Sequence, residues 1–252
     1  MDDAVMVLEL SASSPEFDEA YDILGQDIPV ECLEERSFLR HRLRVRDEGP
    51  REHKERILVQ DGYTLHLLAA MSGPHPVGAI YGHLISQIGH DHRGLGFVTY
   101  IGVDRSQRRA GVGSMLLAEL RQRLERDSLA ATGRPLVGMV YEIEEHGKPE
   151  IKGYLRTHGG FPLDITYYQP AVRTGASPER LQLWFQSFDP PVGSVEQARV
   201  TTYPARFVIS LVTNLLAQEY VGPDLEGCDL RSTVYSEFRK SIDGRAQIGF
   251  IA

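Results

Sequence analysis

Phe97-Val98-Thr99-Tyr100-Ile101-Gly102-Val103 runs into Asp104-Arg105-Ser106-Gln107, then Arg108-Arg109-Ala110-Gly111-Val112-Gly113-Ser114. A stretch follows in which Leu116, Leu117, Leu120 and Leu124 recur at helical spacing. The first segment is apolar on both faces, as a strand at the centre of a sheet must be. The last is an amphipathic helix with Glu119 and Arg123 one turn apart on its wet side. Between them lies a sharp, basic, glycine-bearing turn. The first N–H groups of a helix have no internal acceptor, and the macrodipole places partial positive charge there. Such a turn is an anion site, above all for phosphate. Gly111 and Gly113 lack Cβ atoms, so an anion can approach the backbone closely. Arg108 and Arg109 add fixed positive charge at the rim.

Two familiar phosphate loops are excluded. A P-loop needs a lysine after its last glycine, and Ser114 follows Gly113. A dinucleotide fingerprint needs a small residue where Leu116 stands. The pattern present is Arg-x-x-Gly-x-Gly, Arg108 to Gly113, directly after a strand.

Reading outward, Val5–Leu10 is a strand. Ser13-Ser14-Pro15-Glu16 starts a helix carrying Phe17, Tyr21 and Leu24, stopped by Gly25. A second helix spans Leu33–Val45. Arg56–Gln60 and Thr64–Met71 read as strands joined at Asp61-Gly62. Val77–Ile85 continues as a strand, and Gly89–Gly94 is a polar loop. After the amphipathic helix, which is expected to end near Asp127, Leu136–Tyr141 is a buried strand. Pro149–His158 is a short helix ended by Gly159-Gly160, and Thr166–Tyr168 and Leu181–Gln186 are strands. Asp189-Pro190-Pro191 is the best boundary. Beyond it, helices are expected over Ala205–Tyr220 and Ser232–Ile242, with an edge strand in Ala246–Ile251.

The 252 residues are 42% hydrophobic and 25% charged, an ordinary globular balance. No apolar run is long enough to span a bilayer. Met1-Asp2-Asp3 lacks a basic secretory start. Cys32 and Cys228 are the only cysteines, so neither a disulfide framework nor a four-cysteine zinc site can form, and a cytoplasmic location is expected. The net charge of −8 argues against nucleic acid as a general partner and suits an amine.

With its flanking elements in this order, the Arg108–Gly113 segment resembles the GNAT superfamily of acyl-CoA-dependent N-acyltransferases. The resemblance implies a mixed α/β fold. Its central sheet would be mostly antiparallel and flanked by helices over residues 1–189, with a C-terminal, helical extension over 190–252 packed on it. It also implies acetyl-CoA, or another acyl-CoA, as co-substrate and no metal. Carried over, the amides of Arg109, Ala110, Gly111, Val112, Gly113 and Ser114, with Arg108 at the rim, would hold the coenzyme A diphosphate. The strand edge near Ile101 and Val103 would pair with the pantetheine amides. Gly102 fits a bulge or a close backbone approach. Gly160-Phe161 resembles the family's Gly-Phe turn.

The resemblance further implies a tyrosine acid four residues before that glycine. Counting back from Gly159 or Gly160 gives Leu155 or Arg156, and Tyr154 is adjacent. Tyr154 is thus the candidate to protonate the leaving thiolate, or else a half-buried aromatic on a short helix. A base must take a proton from the amine. The central strand has no carboxylate, whereas Glu142, Glu144 and Glu145 follow the next strand. Glu142 is the choice among them, the alternative being a solvated acidic loop. His83, His90 and His92 show no converging ligand pattern. Cys32 has no local activating pattern, and Tyr167-Tyr168-Gln169-Pro170 reads as core or as cleft lining. The expected reaction is direct acyl transfer to a primary amine, on a small molecule or a protein. A homodimer is compatible with the sequence, and no membrane partner is expected. The rival readings are a non-catalytic acyl-CoA-binding module and an acyltransferase for a protein or carrier-bound partner.

Overall fold

The computed structural model describes residues 4–26, 28–30, 32–51, 64–88, 92–145, 149–170, 178–189, 191–219 and 233–251. The segment read as Arg56–Gln60 with its Asp61-Gly62 turn lies outside these residues, as do His90 and Cys228. The chain opens with strand β1 (Met6–Glu9), helices α1 (Phe17–Leu24) and α2 (Arg36–Glu48), and strands β2 (Thr64–Ser72), β3 (His75–Ile88) and β4 (Arg93–Val103). Helix α3 (Val112–Thr132), strand β5 (Gly138–Glu144), helix α4 (Pro149–Thr157) and strands β6 (Gly160–Pro162), β7 (Tyr167–Gln169) and β8 (Glu179–Ser187) follow. The C-terminal part holds α5 (Val195–Val200), β9 (Thr202–Pro204), α6 (Ala205–Glu219), α7 (Thr233–Ile242) and β10 (Gln247–Gly249).

Among the described residues the main sheet runs β1-β2-β3-β4-β5-β8-β6, with β7 also on β8. Its pairings are antiparallel except β4 with β5, which α3 connects as a crossover. The fold is therefore a mixed α/β fold with a mostly antiparallel central sheet flanked by helices.

Side chains alternate across the sheet and create two faces. One face packs on α3, whose Leu116, Leu117, Leu120 and Leu124 are buried with Leu84, Val98 and Tyr141. The other face is shared. At one end, α1 and α2 bury Phe17, Leu39 and Leu43 against Tyr81 and Tyr100. At the other end, Val208, Leu211 and Leu215 of α6 bury against Phe97, Val140 and Phe185. Helices α6 and α7 thus share one buried cluster with the sheet.

Several sequence expectations shift for physical reasons. Helix α3 starts at Val112 rather than after Ser114, because Gly111 takes a left-handed conformation and ends the turn there. It continues to Thr132, past the expected Asp127, and Gly133 closes it with φ +69°. Strand β5 extends through Glu144, so Glu142 lies within a paired strand, opposite Leu183 of β8. The C-terminal strand pairs with β9 in a two-stranded sheet, and its end bridges Leu163, just past β6, through Phe250. Gly102 is a close approach rather than a bulge. A Cβ there would meet the Ile23 carbonyl oxygen at 2.4 Å. The bulge is at Thr99, since Tyr81 pairs with Tyr100 and Gly82 with Val98, leaving Thr99 as the extra residue.

Candidate functional site

Strand β4 delivers the chain to the loop. Asp104 accepts hydrogen bonds from the Ser106 backbone N–H at 2.9 Å and from the Gln26 amide at 3.4 Å, which fixes a short 3₁₀ turn at Arg105–Gln107. The Arg108 Nε donates to the Val103 carbonyl at 3.2 Å and folds its side chain back along the strand end. Two left-handed residues then reverse the backbone, Arg109 at φ +69° and Gly111 at φ +84°. A non-glycine residue in that region costs on the order of 1–2 kcal/mol. Its presence beside an exposed loop is what backbone preorganised for a ligand looks like.

The first backbone N–H of this helix to reach a carbonyl is that of Met115, which donates to Gly111 at 3.0 Å. Among the described residues, the amides of Gly111, Val112, Gly113 and Ser114 make no backbone hydrogen bond. Gly111 and Ser114 are exposed and Val112 is buried, so the free amides open outward while the helix stays anchored. Outward-facing amides at a helix start have the geometry that suits an anion, and Arg108 and Arg109 are exposed beside them.

Beside the loop the sheet comes apart. Strands β4 and β5 pair only at Gly96 with Met139, Phe97 with Val140 and Val98 with Tyr141. Beyond this point β4 runs on to Val103 and β5 to Glu144. Among the described residues no strand pairs with β4 on that side past Val98, so the edge of Thr99–Val103 offers unpaired backbone groups. Ile101 and Val103 pack on the α3 face along this edge.

Tyr154 reaches this region from α4. It packs against the same buried cluster as Ile101, Val103 and Met115, and its ring lies 4.3 Å from that of His158. Among the described residues its hydroxyl is buried without a hydrogen-bond partner, 4.0 Å from where a Cβ on Gly113 would stand. Burial raises the phenol above its ordinary value, and the nearby Ser114 hydroxyl only partly offsets this, so Tyr154 is protonated near neutral pH. Leu155, the position reached by counting back from Gly159, is buried in the core.

Glu142 sits on β5 just past the last β4–β5 pair. Tyr167 donates its hydroxyl to Glu142 Oε1, and the Gln169 amide donates to Oε2 at 3.1 Å. Tyr167 and Gln169 are buried, so β7 fixes the carboxylate in one geometry. Glu144 is exposed and Glu145 pairs with Arg180 at 3.3 Å. The helix α1–α2 loop closes over this end of the sheet. The Tyr100 hydroxyl donates to the Cys32 carbonyl at 3.1 Å, and the Cys32 thiol donates to Glu179 at 3.0 Å. Cys32 is therefore a tether between that loop and β8, which no local pattern could reveal.

The structure thus brings together the loop, the β4 edge and Tyr154, and sets Glu142 on the opposite side of the gap. His83 lies apart, buried within β3 against Phe97, and burial pushes its imidazole well below the usual range. The sequence reading missed Thr99, whose hydroxyl is buried at the bulge, and the clamp on Glu142. Tyr167 and Gln169 were visible as a possible cleft strand, but their target was not.

Residues 29–134 match the family model described as the Acetyltransferase (GNAT) family. No curated protein matches the sequence. Among solved structures, the chain is similar to Arabidopsis thaliana NAA60 in complex with acetyl-CoA, at 13% identity and a TM-score of 0.49, covering 73% of this chain and 99% of that one. It is also similar to the ribosomal-protein-alanine N-acetyltransferase of Brucella melitensis, at 17% identity and a TM-score of 0.46 over 72% and 99% of the two chains. Ard1 from Thermoplasma volcanium aligns at 15% identity with a TM-score of 0.46, over 72% and 96%. The sequence match takes in β2, β3, β4, the loop after β4 and α3, so over residues 29–134 this chain is similar to the GNAT acetyltransferase family.

Proposed function

We propose that the protein transfers an acetyl group from acetyl-CoA directly to a primary amine. The observation that carries this reading is the junction of two features. The β4–β5 pairing stops at Val98 and Tyr141, and the unpaired β4 edge leads to a helix start with free amides at residues 111–114. Acetyl-CoA would supply an acetyl group already activated as a thioester. The free amides and Arg108 hold the diphosphate, and the edge near Ile101 and Val103 pairs with the pantetheine amides. Backbone N–H groups of the same edge stabilise charge on the carbonyl oxygen as the amine adds.

Glu142 is the group for the amine. Fixed by Tyr167 and Gln169, it attracts a cationic acceptor and takes the proton that the nitrogen must lose. Tyr154, held protonated by burial, is the proton source for the leaving sulfur. The new N–C bond forms as the C–S bond breaks, and holding both reactants in the gap supplies much of the rate. Phe97 and Val140, the last pair before the gap on their face, are fully buried with α6. This close packing on the α6 side favours acetyl over longer acyl groups.

The test is calorimetric titration of coenzyme A and acetyl-CoA, followed by mass spectrometry of acetyl transfer to a panel of small amines and peptide N-termini. Binding with transfer to a member of the panel supports the reading. Binding without transfer to any of them points to the non-catalytic module, and absence of coenzyme A binding removes both.

A further inference from the structure

We propose that the Thr99 hydroxyl is a positioning group that donates a hydrogen bond to the acyl carbonyl oxygen. The inference rests on the acetyl-CoA reading and adds to it a residue outside the loop, Glu142 and Tyr154. Three observations meet at Thr99. It is the extra residue of the β4 bulge, between Val98 and Tyr100. It stands immediately after the last β4 residue paired to β5, at the mouth of the gap. Its Oγ1 is shielded from water and has no hydrogen-bond partner among the described residues.

The third observation is the informative one. A buried hydroxyl left unsatisfied bears the full desolvation penalty of the group. Valine would fill the same volume without that cost. Threonine at this point is therefore explained by a partner that arrives with the ligand. Placement along the strand says which part of the ligand. The anion loop begins just past Val103, and Thr99 lies about 13 Å back along the extended edge, at roughly 3.3 Å per residue. An arm anchored by its diphosphate at the loop and laid along that edge presents its far, acyl-bearing end at Thr99. The bulge matters here because the extra residue interrupts the alternation of β4. On one face Phe97 meets His83 of β3 edge-on and Tyr100 stacks on Tyr81, while Val98 and Ile101 share the other. Thr99 is freed from either packed face.

The chemistry follows from the acceptor. The Thr99 O–H is a donor, and the thioester oxygen is an acceptor that gains negative charge as an amine adds. Free coenzyme A has a thiol and no carbonyl at that end. The hydroxyl should therefore distinguish acetyl-CoA from coenzyme A, and this difference can be read without knowing the amine.

The experiment compares wild type, Thr99→Val and Thr99→Ser by thermal melting and by calorimetric titration with coenzyme A and acetyl-CoA. Thr99→Val is expected to melt no lower than wild type when unliganded, to bind coenzyme A unchanged, and to bind acetyl-CoA about three- to tenfold more weakly. Thr99→Ser, which keeps the hydroxyl, restores acetyl-CoA affinity. Equal weakening of both ligands in Thr99→Val, or no change in either, overturns the proposal. A melting temperature several degrees lower in Thr99→Val also overturns it, because the hydroxyl would then have a structural partner. Failure of wild type to bind coenzyme A instead overturns the acetyl-CoA reading on which the proposal stands.

Discussion

Gly113 separates the demands of the fold from those of the ligand. It is the second residue of α3, with a helical backbone. A Cβ added there would stand 3.6 Å from Val103 Cγ2 and 4.0 Å from Tyr154 Oη, both ordinary contacts. Alanine is therefore accommodated, and replacing a helical glycine by alanine gains about 0.5–1 kcal/mol. For a chain of this size that raises the melting temperature by roughly 1–4 °C. The added carbon nevertheless points into the mouth of the gap. Valine brings two further methyl groups into that space and covers amides that would donate to the diphosphate. Losing one charge-assisted hydrogen bond costs on the order of 2 kcal/mol, or about thirtyfold in affinity. Gly113→Ala should thus stabilise the unliganded protein, and Gly113→Val should weaken coenzyme A at least to that extent. Because the block is steric, the Gly113→Val loss should persist at high salt. Arg108→Ala removes only a rim charge, so its smaller effect should fade as salt is added. Thermal melts and calorimetric titration at two ionic strengths read all of these. A folded Gly113→Val protein that binds coenzyme A like wild type would show that the anion does not sit at the start of α3.

Gly102→Ala is expected to destabilise by about 1–3 kcal/mol, since its Cβ would press on the Ile23 carbonyl and its neighbours are backbone. A denaturant midpoint equal to wild type would contradict the packing of α1 on β4. Glu142→Gln and Tyr154→Phe should each leave coenzyme A affinity unchanged and slow acetyl transfer to whichever amine the panel identifies. Weaker coenzyme A binding in Tyr154→Phe would instead make that phenol a ligand of the diphosphate, beside Gly113. His66 bridges Glu9 at 2.8 Å and Asp127 at 2.7 Å. Burial alone would lower its imidazole, but its hydrogen bonds to the two carboxylates and their negative charge outweigh that and raise it. A raised folded-state value means that the contribution is complete below the unfolded histidine value of about 6.5 and is lost as pH climbs through the folded value. The stability advantage of wild type over His66→Gln should shrink over that climb, and a pH-independent difference in melts would refute the bridge.

What the sequence discloses here is local. The strand, turn and helix from Phe97 to Thr132 are readable because their signals lie within a few residues: apolar runs, paired glycines and a leucine stripe. The gap is not readable, because it depends on where β5 stops pairing with a strand more than thirty residues earlier. Glu142 could be singled out as a carboxylate near a strand end. The tyrosine and amide that clamp it come from β7, and no spacing rule connects them. Thr99 was hidden for a different reason. A bulge is a mismatch between two strands, and neither strand's pattern shows it alone. Gly102 gave a true signal with two meanings, and the nearness of Ile23 decided between them.

The shared cluster of α6 and the sheet has a consequence for how the chain is made. A ribosome releases residues in order, at about 5–20 per second. Phe97, Val140 and Phe185 are synthesised before the helix whose Val208, Leu211 and Leu215 cover them. For some seconds the nascent chain therefore displays a broad apolar sheet face with its cover still to come. That interval is when a holding chaperone would find it. A stop codon placed at the Asp189 boundary would make the exposure permanent and leave an aggregating fragment.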